Sequence, residues 1–155
     1  MVLLYRIRKA KRIDDLSGEG ARLYGGRWNI KGTPVLYTSD STALATLETL
    51  VHTPLNLMPK NLSIVTLELA DNLDLLKINR EELPKKWWID PAPLELAQIG
   101  QAWVKKQSSV ALVVPSSVTP TGEGRNYILN PRHPDFTKVK IVKVSAYNYD
   151  ERLFC

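Results

Sequence analysis

The chain has 155 residues, 44% of them hydrophobic and 24% charged, which fits one globular domain over residues 1–155 with apolar surface enough for a single core. Its only cysteine is Cys155, so a disulfide framework and CxxC-type zinc or redox sites are excluded, and a reducing compartment is expected. The net charge of +5 is a modest excess concentrated only at Arg6, Arg8, Lys9, Lys11 and Arg12, and no apolar run approaches a membrane span or the core of a secretory signal, so a cytoplasmic protein is expected.

Val2 to Arg8 is dense in Val, Leu, Tyr and Ile and reads as a strand, in which Arg6 continues the row of Val2 and Leu4. Residues 16–32 hold five of the eight glycines with little periodicity, so a long loop is expected, ordered by Leu23, Tyr24 and Trp28. Pro34 to Thr38 reads as a short strand with Val35 and Tyr37 on one face. A helix follows, capped by Ser39 or Asp40, with Ala43, Leu44, Leu47, Leu50 and Val51 as its buried stripe. Beside that stripe runs a second face of Ser41, Ala45, Glu48 and His52, small or polar with one acid, which suits the border of a cleft as well as open solvent.

Leu62 to Leu69 alternates as a strand with Val65, Leu67 and Leu69 on one side, and Leu73 to Ile78 is a further strand candidate. Pro84, Pro91 and Pro93 bracket Trp87 and Trp88, which are expected to pack on the core. Leu94 to Lys106 reads as a helix starting just after proline. Val110 to Val114 is wholly apolar and suits a central strand covered on both faces. Arg125 to Leu129 and Val139 to Ser145 complete the strands, separated by a turn that Asn130 and His133 are expected to brace. Mixed strands outnumbering helices predict an α+β fold.

Several chemistries can be struck off. The sequence has no GxxxxGK[ST] and no GxGxxG after a strand, and His52 and His133 lack the spacing of a metal-binding helix, so P-loop and zinc enzymes are excluded and no metal is expected. GGRWN at residues 25–29 stands out, because two glycines allow close backbone approach while Arg27, Trp28 and Asn29 supply a cation, a stacking surface and an amide. By itself the string is equally a tight turn around a packed tryptophan.

The strings LYRIRKA, SGEGARLYGGRWNIKGTPVLYTSDSTALATLETLVH, ALVVPSSV and NYILNPRHPDF, in that order, resemble the RES domain family, named for its arginine, glutamate and serine. The resemblance runs from the first strand to Phe136, and residues 72–107 carry no matching motif. It implies a fold like that of ADP-ribosyltransferases, with mixed, strongly twisted sheets and flanking helices. It also implies the toxin of a bacterial toxin–antitoxin pair, partnered by an Xre-type helix-turn-helix antitoxin that alone would contact nucleic acid. The implied activity is depletion of NAD by hydrolysis or phosphorolysis of the nicotinamide–ribose bond, with NAD as substrate, phosphate as co-substrate in the second case, and no cofactor.

Carried onto this chain, the family's arginine, tyrosine and glutamate fall on Arg6, Tyr37 and Glu48 as catalytic residues, and its serine on Ser116, with Ser117 adjacent as the alternative. These roles suit the chemistry: a carboxylate stabilises the positive charge that builds on ribose as nicotinamide leaves, and a guanidinium binds phosphate oxygens in a two-pronged geometry. Arg6 and Arg27 are the phosphate candidates, Tyr37 and Trp28 the stacking candidates, and His52 and Ser116 complete the expected substrate-binding set. Two other readings compete. The same residues could transfer ADP-ribose to a macromolecule, and the basic cluster Arg8, Lys9, Lys11 and Arg12 could bind nucleic acid with steep salt dependence. The oligomeric state, including a homo-oligomer within a complex with antitoxin, is left open by the sequence.

Overall fold

A computed structural model of the chain describes residues 1–154, the side chains of Leu55 and Phe154 excepted; Cys155 lies outside the described residues. Seven strands form, β1 (Val2–Lys9), β2 (Leu36–Ser39), β3 (Leu62–Leu69), β4 (Leu75–Lys77), β5 (Ala111–Pro115), β6 (Arg125–Leu129) and β7 (Lys140–Tyr147), with three α-helices, α1 (Glu19–Tyr24), α2 (Thr42–His52) and α3 (Leu94–Lys106). The strands make one sheet in the order β4-β5-β6-β2-β1-β3-β7, antiparallel except for the β4–β5 pair. The α+β expectation holds, and no helix among the described residues is long and apolar enough to cross a membrane.

The sheet is joined unevenly. β1 pairs with β3 along its full length, from Val2↔Leu69 to Lys9↔Leu62, and β3 pairs in turn with β7. On the other side β2, β6 and β5 are registered residue by residue. Between these halves, β1 and β2 share the single pair Tyr5↔Ser39. Continuing that antiparallel register would set Arg6 against Thr38 and Ile7 against Tyr37, and these pairs are not made. The sheet therefore opens where Arg6 and Tyr37 stand.

Two apolar clusters hold the halves. Leu4, Leu36, Val65, Leu67, Leu69, Ala111 and Leu129 pack on one face. Trp28, Val35, Trp87, Leu96, Trp103, Leu112, Val114 and Ile128 pack on the other. β5 contributes alternate residues to both, which explains its unbroken apolar run: it is buried on both faces, one strand in from the β4 edge. Leu96, Gly100 and Trp103 of α3 recur at helical spacing and turn inward. Gly100 is there because a Cβ at this position would lie 1.7 Å from the Trp28 carbonyl oxygen.

Several local expectations are corrected. The loop over 16–32 contains the short helix α1, bracketed by Gly18 and Gly25, both at φ 72°, so these glycines end a helix rather than fill a coil. α2 is capped by Ser41, whose Oγ accepts from Leu44 N–H at 3.1 Å. Asp40 instead accepts from Arg125 N–H, and Ser39 bonds Asn126. The expected α2 stripe also fails: Leu44 and Ala45 are buried, while Leu47 and Val51 are exposed. Periodicity reports that a helix has an apolar face, and here only Leu44 of the expected stripe is buried. Of the two tryptophans after Pro84, Trp87 is in the core and Trp88 stands half-exposed, edge-on to it.

Candidate active site

The opening between β1 and β2 is a cleft of about 530 Å³. β1 supplies Arg6, β2 supplies Tyr37, Thr38 and Ser39, the 25–28 segment supplies Arg27 and Trp28, and α2 supplies Ala45, Glu48, Thr49 and His52. The face of α2 singled out for its single acid is thus the one turned to the cleft. Arg6, Tyr37, Glu48, Arg27, Trp28 and His52 all line it; Ser116 does not, although its neighbour Ser117 does.

Glu48 is fixed through one oxygen. Oε1 accepts from Ser116 Oγ at 2.6 Å and from Asn126 Nδ2 at 2.8 Å, and no hydrogen bond within the described residues reaches Oε2. Ser116 is fully buried and its Oγ also accepts from Val118 N–H. Asn126 is oriented in turn by Ser39 Oγ, which donates to its Oδ1 at 2.8 Å. A carboxylate held on one side by two donors keeps its other side available to a reacting centre. Ser116 is therefore a positioning residue behind Glu48, in place of the substrate contact expected for it.

Arg6 is 9% exposed, and its Nε and Nη1 find no hydrogen-bond partner within the described residues. Burial, with the nearby Arg8 charge second, pulls its pKa down to about 9, so it remains a cation at neutral pH. A buried guanidinium with unpaired donors is costly, and an anion entering the cleft would satisfy it.

The GGRWN segment is a knot of hydrogen bonds. Asn29 Nδ2 donates to the Ala21 and Thr33 carbonyls, and its Oδ1 accepts from the Tyr37 hydroxyl at 2.6 Å. That hydroxyl also accepts from Trp28 N–H at 3.1 Å, and burial holds it well above the usual phenol range. A Cβ on Gly26 would sit 2.6 Å from the same hydroxyl. Tyr37 therefore offers the cleft its ring, its hydroxyl being committed to the loop. Trp28 is 2% exposed with its ring in the core cluster, so the stacking surface expected of it is closed. Arg27 donates to the Trp87 and Ile89 carbonyls, both at 3.0 Å, so two of its nitrogens tie the 87–89 segment to the cleft wall. His52, in the last turn of α2, lies at the exposed rim.

Asn130 and His133 do brace the turn before β7. His133 Nδ1 accepts from Asp135 N–H, so Nε2 carries the proton toward the Gln107 carbonyl at 3.0 Å. Asn126 is the residue that sequence reasoning missed. Its one local signal is that it shares a strand face with the buried Ile128, as Arg6 shares one with Leu4.

Comparison with known proteins settles the family. The RES domain model matches residues 3–150. The chain belongs to the RES domain family. It is 36% identical over 154 residues to "Toxin Res" of Yersinia enterocolitica, covering 98% of this chain and 99% of that one. It is 38% identical over 142 residues to the "Prs ADP-ribosylating toxin" of a Sphingobium species, covering 90% and 87%. Among solved structures, the Mycobacterium tuberculosis MbcT–MbcA toxin–antitoxin complex contains a chain of the same fold, with a TM-score of 0.76 at 22% identity over 95% of this chain and 84% of that one.

Proposed function

We propose that this RES domain binds NAD in the cleft and cleaves its nicotinamide–ribose bond, passing the ADP-ribosyl group to water or to inorganic phosphate. The observation that carries the reading is the pairing of an unsatisfied, buried Arg6 with a Glu48 held by one oxygen, both facing one cleft. As the C–N bond breaks, nicotinamide leaves as a neutral base and positive charge gathers on the ribose. The Glu48 carboxylate stabilises that charge and orients the incoming oxygen nucleophile, whose proton is released as the new C–O bond forms. Arg6 takes a phosphate of the dinucleotide, and the Tyr37 ring lies against the ribose or nicotinamide.

The biological role we infer is that of a toxin acting in the cytoplasm, with an Xre-type antitoxin as its inhibitor. The relatives named as toxins and the fold shared with one chain of a toxin–antitoxin complex support this reading. Purified protein incubated with NAD, with and without phosphate, should release nicotinamide, and the accompanying product, ADP-ribose or its phosphate ester, tells hydrolysis from phosphorolysis. A folded protein that leaves NAD intact under both conditions overturns the proposal. A second reading, transfer of ADP-ribose to a macromolecule, is favoured by the name of the Sphingobium relative. Labelled NAD with cell lysate separates the two: label on a macromolecule supports transfer, and label only in small products supports cleavage.

A further inference from the structure

Arg8 lies two residues beyond Arg6 on β1, so the pleat puts both side chains on one face, and both line the cleft. Its guanidinium makes no hydrogen bond within the described residues. The charge nearest it is Asp15, whose Oδ2 stands 3.7 Å from Nη2, an ion pair too long to be a hydrogen bond. Asp15 also lines the cleft and is anchored through its other oxygen, Oδ1, which accepts from the Ser17 hydroxyl at 2.5 Å and the Ser17 N–H at 3.1 Å. These Ser17 bonds hold its carboxyl below the usual carboxylate range, so it carries a full negative charge at neutral pH.

On the β1 side of the cavity two cations, Arg6 and Arg8, face one loosely paired carboxylate, Asp15; of the other charged side chains that line it, Glu19 is paired with Arg22, Arg27 is tied to the Trp87 and Ile89 carbonyls, and Glu48 is held by Ser116 and Asn126. A single phosphate would satisfy Arg6 alone. Two linked phosphates would span the Arg6–Arg8 row and take the place of Asp15 beside Arg8. We propose that Arg6, Arg8 and Asp15 form a diphosphate subsite, in which Arg8 is the second phosphate-binding cation and Asp15 a built-in counter-charge that the ligand replaces. The ligand class is a nucleoside diphosphate or a dinucleotide joined through one. The inference rests on the dinucleotide reading of the cleft but is tested without catalysis.

Calorimetric titration of wild type, Arg8→Gln and Asp15→Asn with ADP, adenosine and inorganic phosphate decides it. Asparagine keeps the oxygen that accepts from Ser17, so the turn survives the loss of charge. Arg8→Gln should weaken ADP binding roughly tenfold, the scale of one charge-assisted hydrogen bond, and Asp15→Asn should tighten it several-fold, with adenosine unmoved by either. Arg8→Lys, which keeps the charge and loses the fork, should fall between wild type and Arg8→Gln.

If Arg8 and Asp15 merely tie the loop to β1, both substitutions weaken ADP and adenosine alike, and the proposal is overturned. It is equally overturned if inorganic phosphate responds as strongly as ADP, which marks a single-phosphate site, or if wild type does not bind ADP. The two proposals fail separately. Opposite responses to ADP without NAD consumption leave the subsite and remove the reaction, whereas NAD consumption with like-signed responses removes only the subsite.

Discussion

At the scale of single residues, the cleft combines a group the fold would be more stable without and a group it holds with care. Arg6 is the first. Its burial is not offset by hydrogen bonds to Nε or Nη1, and taking an unpaired charge out of water costs several kcal/mol that an apolar side chain of similar length does not. Arg6→Met should therefore raise the melting temperature at pH 7 while abolishing NAD consumption. The pH dependence has a definite sign. Because the folded pKa of Arg6, about 9, lies well below the ordinary guanidinium value of the unfolded chain, the unfolded chain binds more protons between the two. The destabilisation is thus complete below pH 9 and is relieved as pH rises through that window. Melting curves should show the gap between Arg6→Met and wild type constant from pH 7 to about pH 9 and narrowing above it; a gap still unchanged a unit above that contradicts it. Glu48 is the second. Glutamine retains an oxygen to accept from Ser116 and Asn126, so Glu48→Gln should keep stability within about 1 kcal/mol while lowering nicotinamide release by about 10²-fold or more. Comparable losses of stability and activity would mean that the carboxylate serves the fold.

At the scale of elements, α3 and the GGRWN segment are one unit. Gly100 lets the helix sit directly on the Trp28 carbonyl, and Asn29, Tyr37 and Arg27 carry that position on to α1, β2 and the 87–89 segment. Gly100→Ala must push helix and segment apart, although alanine is the better helix former. It should cost about 1–3 kcal/mol or more in denaturant unfolding, and it should reduce NAD consumption by displacing the cleft wall. A Gly100→Ala protein as stable as wild type would show that the contact relaxes freely. The same unit shows what a sequence discloses. α3 could be read to its boundaries, because its period and flanking proline are local signals, and the alternation of β3 was legible for the same reason. The packing of Trp28 was legible as one of two readings of GGRWN, but the tethering role of Arg27 was not, since it depends on residues 87–89, some 60 positions away. Likewise, the acid-bearing face of α2 was legible as a stripe, while the exposure of Leu47 and Val51 depends on which distant parts of the chain pack against the helix.

At the scale of the whole molecule, the decisive feature is the break in the sheet. No local pattern announces that β1 and β2 share one registered pair, since both read as ordinary strands, and the family resemblance supplied the cleft's residues without its cause. Each half has its own neighbours, Arg6 and Arg8 standing on the β1-β3-β7 side, and Tyr37 on the β2 side with Glu48 across the cleft on α2. A ligand touching both sides closes a gap that backbone hydrogen bonds leave open, so binding should stabilise the fold as a unit. By mass action, a ligand at 100 times its dissociation constant adds about 2.7 kcal/mol. NAD added to Glu48→Gln, which binds without consuming it, should therefore raise the melting temperature and slow amide exchange in β1 and α2 together. Arg6→Met should show neither effect at the same NAD concentration, having lost the buried cation on one side. Stabilisation of Arg6→Met equal to that of Glu48→Gln would place the dinucleotide elsewhere on the surface. Exchange slowed on α2 alone would mean that the ligand rests on one wall and the break in the sheet has no part in binding.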